Sequence, residues 1–155
     1  MIIPPQLLGR LLGYPEEKLD CSGLKLTLGE VYVASTQGIL KIEEREIPRY
    51  SSLVPRNNTY YLKPGFYIIR YNEYVKIPPN AIALAIPRSS LLRMGATLFT
   101  AVWDPGYEGR GYGLLLVGNP HGISLEKNVQ VAQLVFIEMK EASQKLYRGT
   151  YYKEK

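Results

Sequence analysis

Short apolar segments recur along this 155-residue chain at intervals typical of antiparallel β-proteins. Turn signals, among them Lys63-Pro64-Gly65 and Pro78-Pro79-Asn80, separate these segments. Thirteen tyrosines, together with many valines and isoleucines, favour strands over helices. The segments predicted as strands are 24–28 (ended by Gly29), 31–34, 38–42, 60–62, 66–71, 81–86, 112–117 and 129–139. The pattern predicts one all-β domain over residues 1–155, built as a sandwich, jelly roll or barrel.

Two helical segments interrupt the predicted strands. Residues 4–14 predict a short N-terminal helix with leucines on one side. Ser89 is a suitable N-cap for a single turn over 91–94, which Gly95 then ends. The polar, tyrosine-rich tail at 147–155 is predicted to be mobile.

Composition excludes several functional classes. Cys21 is the only cysteine, which excludes an internal disulfide and a cysteine-based zinc site. The chain has no apolar run near the length of a membrane span and no signal-peptide pattern, so we expect a soluble, cytoplasmic protein with no membrane partner. The formal charge of +5 suits an anionic ligand, although it could equally serve solubility.

Two neighbouring motifs carry the chemistry. Arg88, Ser89 and Ser90 offer a guanidinium and two hydroxyls, which are suited to phosphate oxygens. Asp104-Pro105-Gly106 holds a carboxylate on a restricted backbone, because proline favours an extended residue before it and glycine permits a bend after it. A fixed carboxylate near a phosphate site suggests activation of a water molecule that attacks phosphorus.

These motifs also resemble a known family. Pro87-Arg88-Ser89-Ser90-Leu91, Asp104-Pro105-Gly106-Tyr107-Glu108-Gly109 and Val131-Ala132-Gln133-Leu134-Val135-Phe136 are similar to the three central motifs of the dUTPase and dCTP deaminase superfamily, most closely its archaeal dUTPase branch. The resemblance implies a distorted β-barrel or jelly roll of the dUTPase type. It also implies a dUTP pyrophosphatase that releases dUMP and pyrophosphate, uses Mg²⁺ held by the triphosphate rather than by the chain, and forms a homotrimer with sites between subunits.

The resemblance assigns roles to individual residues. Asp104 would orient and deprotonate the water that attacks the α-phosphate, and Tyr107 would pack on the deoxyribose. The side chains implied to bind the phosphates are those of Arg88, Ser89, Ser90 and Gln133. The segment 96–103, which includes Thr100 and Ala101, would read the pyrimidine through its backbone. Apart from the resemblance, a polar tail that carries Arg148 and stackable tyrosines such as Tyr147 is expected to close over the bound nucleotide.

The chain departs from the family pattern at three places. Lys25 stands where the first motif normally has an Asp, and Gln130 stands where the fourth motif often has an Arg. The deaminases carry a catalytic Glu on the strand after Asp-Pro-Gly, whereas 111–118 contains no acid. Because deamination needs a proton shuttle, we do not expect that activity.

Alternatives remain open at this point. The chain could be a dCTP deaminase or a bifunctional deaminase-dUTPase. It could also be a non-catalytic module that binds nucleotides or single-stranded nucleic acid, although its basic residues are scattered, so no nucleic-acid partner is expected. Individual candidates also have structural interpretations: Asp104 as a turn residue, Gln133 as a partner for backbone groups and Tyr107 as core packing. The sequence indicates no role for 43–58.

Overall fold

The computed structural model describes residues 1–154, and most of them lie in or between strands. The two α-helices are α1 (Pro5–Leu12) and α2 (Ser89–Arg93), and a 3₁₀ turn covers Glu16–Lys18. The strands are β1 (Leu24–Ala34), β2 (Ile39–Leu40), β3 (Arg45–Glu46), β4 (Tyr50–Ser52), β5 (Thr59–Leu62), β6 (Gly65–Lys76), β7 (Ala81–Pro87), β8 (Ala96–Phe99), β9 (Glu108–Val117), β10 (Ile123–Glu126) and β11 (Gln130–Glu138). Over residues 1–154, neither α-helix approaches the length needed to span a lipid bilayer.

The main sheet is antiparallel and nearly closes into a barrel. Its strand order is β7-β11-β1-β6-β9-β8, with β4 paired to the second half of β1. The open side is bridged where Ala83 and Trp103 exchange backbone hydrogen bonds of 3.0 and 2.9 Å. The predicted all-β barrel or jelly roll, with one N-terminal and one internal helix, is therefore confirmed.

Alternating residues build the core. On β1, Leu24, Leu26 and Leu28 are fully buried, and Ile69 and Tyr71 on β6 face the same interior. This period of two is what makes a strand amphipathic. The interior of the barrel fixes the strand registers, and with them the loop that carries Asp104.

Some predicted boundaries are wrong. The first strand does not end at Gly29 but continues to Ala34, with an irregularity in its pairing to β6 between Leu28 and Glu30. A Cβ at Gly29 would lie 2.8 Å from the Asn72 side chain and 3.0 Å from the Arg70 carbonyl, so this glycine permits a close approach of chains instead of a turn.

The internal helix is also capped differently than predicted. Ser89 is its first helical residue, and Arg88 occupies the N-cap position without a side-chain capping hydrogen bond. Gly95, with φ of +77°, does end the helix as predicted, because glycine adopts this left-handed conformation without steric cost. The hydroxyls of Ser89 and Ser90 are thus not needed to cap α2.

Candidate active site

Asp104 lies at the edge of the main cavity, in a loop whose backbone is held on both sides. Before Asp104, the backbone of Trp103 is hydrogen-bonded to the backbone of Ala83. After Asp104, the Tyr107 N–H donates to the Asp104 carbonyl at 3.0 Å. The Gly106 N–H donates to the carbonyl of Ile77 at 3.0 Å. The Asp104 side chain remains exposed. A fixed backbone with an accessible carboxylate meets the first requirement for a positioned base.

The cavity has a volume of roughly 570 Å³, a size suited to a small ligand such as a nucleotide. Its lining residues are Arg45, Ile47, Tyr50, Ala101, Val102, Trp103, Asp104, Tyr107, Gly111, Tyr112, Tyr147, Tyr151 and Glu154. Most of these side chains are aromatic or aliphatic, and the charges come from Arg45, Asp104 and Glu154. Such a wall suits a base and a sugar better than a triphosphate.

Aromatic rings pack behind Asp104. Tyr107 stands edge-on to Trp103, with ring centroids 5.4 Å apart, and edge-on to Tyr147 at 5.6 Å. Burial raises the pKa of Tyr107 far above its ordinary value, so its hydroxyl stays neutral. Tyr107 therefore belongs to both the core and the cavity wall.

The C-terminal segment lies against the same loop. The Tyr147 N–H donates to the Pro105 carbonyl at 2.8 Å, and the Arg148 guanidinium donates to the Gly106 carbonyl at 3.2 Å. Farther along, the Arg110 N–H donates to the Glu154 carbonyl at 3.0 Å. The predicted mobility of this segment stays a prediction, and Lys155 lies outside the described residues.

The predicted base-reading segment borders the cavity only in part. Ala101 lines it, whereas Thr100 turns its hydroxyl to the Ala101 carbonyl at 2.7 Å. The Thr100 hydroxyl also accepts from the Ala85 N–H at 3.4 Å. Thr100 therefore holds the shape of this segment.

The segment 43–58, for which the sequence indicated no role, contributes part of the cavity wall. Arg45, Ile47 and Tyr50 line it, and the Arg45 guanidinium donates to the Thr150 hydroxyl at 2.5 Å. The pairing of β4 with β1 brings this segment to the cavity. Its short strands and charged residues gave no periodic signal that could have revealed this role.

A second group of candidate residues collects at the other end of β7. The Arg88 guanidinium donates to the Gln130 side-chain carbonyl at 2.5 Å, and Gln133 accepts from the Ser22 N–H at 3.1 Å. Ser89 and Ser90 are exposed at the start of α2. We call Arg88, Ser89, Ser90 and Gln133 the cationic cluster, after the positive charge of Arg88.

The cationic cluster and Asp104 do not meet within one chain. Ala83 is the β7 residue that is hydrogen-bonded to Trp103, near the beginning of the strand. Arg88 comes five residues later, directly after the end of the strand. At about 3.3 Å per residue, this separation is roughly 16 Å. The structure therefore brings Asp104, Ala101, Tyr107, Tyr147 and Arg148 together, and leaves the cationic cluster apart from them.

Comparison with known proteins supports a common origin. The model of a family described as dCTP deaminase-like matches residues 9–139. A probable deoxyuridine 5'-triphosphate nucleotidohydrolase from Aeropyrum pernix is 41% identical over 148 residues, covering 96% of this chain and 93% of the relative. A deoxyuridine 5'-triphosphate nucleotidohydrolase from Methanocaldococcus jannaschii is 39% identical over 140 residues, covering 88% of each protein.

The fold is also similar to that of a solved structure. A 2'-deoxycytidine 5'-triphosphate deaminase from Agrobacterium tumefaciens superposes with a TM-score of 0.65 at 19% identity. The match covers 87% of this chain and 47% of the deaminase, so this chain corresponds to about half of that protein. At this level of identity the likeness concerns the fold alone.

Proposed function

Because this chain belongs to the dCTP deaminase-like family, we propose that it hydrolyses dUTP to dUMP and pyrophosphate, as the names of its archaeal relatives indicate for them. The observation that carries the proposal is the exposed Asp104 carboxylate, held by its backbone at the edge of a largely aromatic cavity. The ligand is then a nucleotide whose base and sugar enter the cavity.

In the proposed reaction, Asp104 positions a water molecule and takes its proton as the water oxygen attacks the α-phosphate. The bond from the α-phosphorus to the bridging oxygen breaks, and pyrophosphate leaves. The Tyr107 ring lies three residues after Asp104 and presents a flat surface to the deoxyribose. The backbone at Ala101 is close enough to the cavity to bind the base edge.

The phosphates need positive charge and hydrogen-bond donors, and among the residues that line the Asp104 cavity only Arg45 carries a positive charge. The Arg88 guanidinium, the Ser89 and Ser90 hydroxyls and the Gln133 amide would add theirs from a neighbouring subunit, since Arg88 lies roughly 16 Å from the Asp104 loop along β7. Each complete site would then contain Asp104 of one chain and the cationic cluster of the next. The homotrimer is the assembly that we propose.

An apolar face on the outside of the barrel supports self-association. Phe66, Ile68, Phe99, Leu114 and Leu116 occupy adjacent outward positions on β6, β9 and β8. Phe66 is 62% exposed and Phe99 is 51% exposed, and large apolar surfaces of this kind usually mark interfaces. Light scattering should report a trimer, and a fully active monomer would refute the shared site.

The donor set fits a metal held by the substrate. Over the described residues 1–154, no group of three or more His, Cys, Asp or Glu side chains could hold an ion. The cavity contributes two carboxylates, those of Asp104 and Glu154. We propose that Mg²⁺, when bound, is held by the triphosphate and neutralises phosphate charge, while the chain binds the phosphates through Arg88 and its neighbours.

Deamination is not part of the proposal. The stretch Gly111–Gly118 carries no acid, and the one acid of β9, Glu108 at its start, is paired with Tyr74 and Lys76, so the strand after the Asp104 loop offers no proton shuttle. The tail carboxylate of Glu154 lines the cavity instead. If dCTP were deaminated, Glu154 would be the residue to replace. We also propose that the enzyme acts in the cytoplasm on free nucleotides, not on nucleic acid.

The test is an incubation of the purified protein with each deoxynucleoside triphosphate and Mg²⁺, followed by chromatography of the products. We expect dUMP and pyrophosphate from dUTP, and neither dUTP nor dUMP from dCTP. Asp104→Asn keeps the shape of the loop but removes the base, so turnover should fall on the order of 100-fold with little change in binding. Near-normal turnover in this variant would contradict the role of Asp104.

A further inference from the structure

A tight turn at residues 20–23 precedes β1 and lies against β11. The Asp20 N–H donates to the Gly23 carbonyl at 2.8 Å, and the Cys21 N–H donates to the Asp20 carboxylate at 2.8 Å. A Cβ at Gly23 would overlap the backbone carbonyl of Leu134, so only glycine lets the turn pack this closely on β11. The turn is thus fixed both internally and against the sheet.

From this turn, two hydrogen bonds lead through Gln130 to Arg88. The other oxygen of the Asp20 carboxylate accepts from the Gln130 amide nitrogen at 2.6 Å. The Gln130 amide oxygen in turn accepts from the Arg88 guanidinium at 2.5 Å. Every group has the polarity it needs, because a carboxylate only accepts, a guanidinium only donates and an amide does both.

The charge of Asp20 supports the same chain of hydrogen bonds from Asp20 through Gln130 to Arg88, which we call the relay. The hydrogen bond from Gln130, and then that from the Cys21 N–H, lower the pKa of Asp20 below its ordinary value. Asp20 is therefore ionised at neutral pH, which fixes the orientation of the Gln130 amide. With its nitrogen turned to Asp20, Gln130 presents its oxygen to Arg88.

The same turn orients the second predicted phosphate ligand. The Ser22 N–H donates to the amide oxygen of Gln133 at 3.1 Å. That bond leaves the amide nitrogen of Gln133 as the group that can donate to an anion. One rigid turn thus sets the direction of a guanidinium and of an amide.

We propose that the Asp20–Ser22 turn is a positioning element that holds Arg88 and Gln133 ready for the substrate phosphates. This inference rests on the proposed function, in which both side chains bind the triphosphate. It also gives Gln130, one of the three departures from the family pattern, a role as the link between Asp20 and Arg88. Lys25, another departure, lies directly opposite Gln133 on β11 and donates to the Glu17 carbonyl at 3.0 Å.

Positioning of this kind acts on substrate binding. Arginine loses much side-chain freedom when it is fixed, and a hydrogen bond made in advance reduces that cost at the moment of binding. Phosphate contacts of Arg88 exist in the bound substrate as well as in the transition state, so their loss raises KM more than it lowers kcat.

The first test replaces Asp20 with Asn. The Cys21 N–H will keep the Asn oxygen, so the new amide nitrogen faces Gln130 and forces its side chain to turn around. Gln130 then presents its own amide nitrogen to the Arg88 guanidinium, where two donors meet. We expect KM for dUTP to rise about five- to tenfold with kcat within about twofold of the parent.

The rescue exchanges the two polar groups. In the double variant Asp20→Asn with Gln130→Glu, the carboxylate at position 130 accepts from both the amide at position 20 and Arg88. KM should return to within about twofold of the parent value, although both residues differ from the parent. Glu17→Gln is the matched control, since it removes an exposed acid from the same segment and should leave KM unchanged.

A cycle with Arg88→Ala separates this inference from the proposed function. If Asp20 acts through Arg88, adding Asp20→Asn to Arg88→Ala raises KM no further. If Arg88→Ala raises KM while Asp20→Asn alone does not, or if the swap fails to rescue, the positioning role is overturned and the phosphate role of Arg88 stands. If Arg88→Ala itself leaves KM unchanged, the phosphate role fails, and the positioning role fails with it.

Discussion

The separation of Asp104 from the cationic cluster predicts that two impaired variants, one that turns over slowly and one that binds dUTP weakly, can restore each other. Asp104→Asn removes the base, and Arg88→Ala removes a phosphate ligand. If each site joins Asp104 of one chain to Arg88 of the next, a mixed trimer contains sites in which both residues are intact. Neither variant can form such a site alone.

The size of the recovery follows from the geometry. A working site needs its Asp104 from an Arg88→Ala chain and its Arg88 from an Asp104→Asn chain. With equal amounts and random assembly, each condition holds for half of the positions, so about one quarter of the sites are complete. At dUTP concentrations below the parent KM, where sites that lack Arg88 bind little substrate, the rate should therefore recover to about one quarter of the parent value, because each site in the trimer is assembled independently.

The assay unfolds the two variants together, refolds them as a mixture and measures pyrophosphate release from dUTP. Arg88→Ala mixed with Gln133→Ala is the control, since both residues belong to the cationic cluster and must come from the same chain. That mixture should stay at the average of its two parents. If Asp104→Asn and Arg88→Ala also give only the average after verified subunit exchange, the shared site is refuted.

Four further predictions test individual parts of the molecule. Deleting residues 147–155 should leave a folded oligomer with strongly reduced turnover, because Tyr147 covers the Asp104 loop; an unchanged turnover would show that the tail is inert, and loss of both stability and turnover would show that it is structural. Arg45→Ala should raise KM for dUTP several-fold without lowering the melting temperature, because this guanidinium lines the cavity at an exposed position, and an unchanged KM would remove 43–58 from the site. The pKa of Asp20 is lowered in the folded protein, so its ionised form adds stability above the ordinary carboxyl pKa, and this stability is lost as the pH falls through the lower pKa of the folded state. The difference in melting temperature between the parent and Asp20→Asn should therefore disappear below about pH 4. A difference that does not change with pH would contradict an ionised Asp20. Gly111→Ala should lower both melting temperature and turnover, because its methyl group would overlap the Trp103 ring beside Asp104, whereas a stable, active variant would mean that Trp103 can move.

The sequence predicted the strands well where alternation is strong and poorly where it is interrupted. The sequence predicted β7 and β11 because their apolar residues are continuous or alternate, which is the pattern of buried strands. Gly29 was misread as a strand end, because a glycine that admits a neighbouring chain looks the same in sequence as one that makes a turn. The short strands of 43–58 depend on pairing with β1, which no local pattern encodes.

The candidate site shows the same difference between residues that belong to a local motif and residues that meet only in the folded chain. Motifs carried Arg88, Asp104, Tyr107 and Gln133, because each combines a reactive side chain with local backbone chemistry. Asp20 did not stand out, since its partner Gln130 is 110 positions away and only the pairing of β1 with β11 brings them together. Hydrogen bonds between residues that are far apart in sequence produce no motif spacing from which they could be predicted.

The arrangement of the barrel explains why two motifs that are close in sequence lie apart within one chain. After Arg88 the chain turns through α2 and returns along β8, so that Trp103 comes back beside Ala83, near the beginning of β7. The return is antiparallel to β7, so Asp104 lies beside the beginning of this strand whereas Arg88 directly follows its end. In the trimer that we propose, the cationic cluster of one chain would meet the Asp104 loop of another, and the antiparallel return that separates the two motifs within a chain is the reason that a second subunit would be needed.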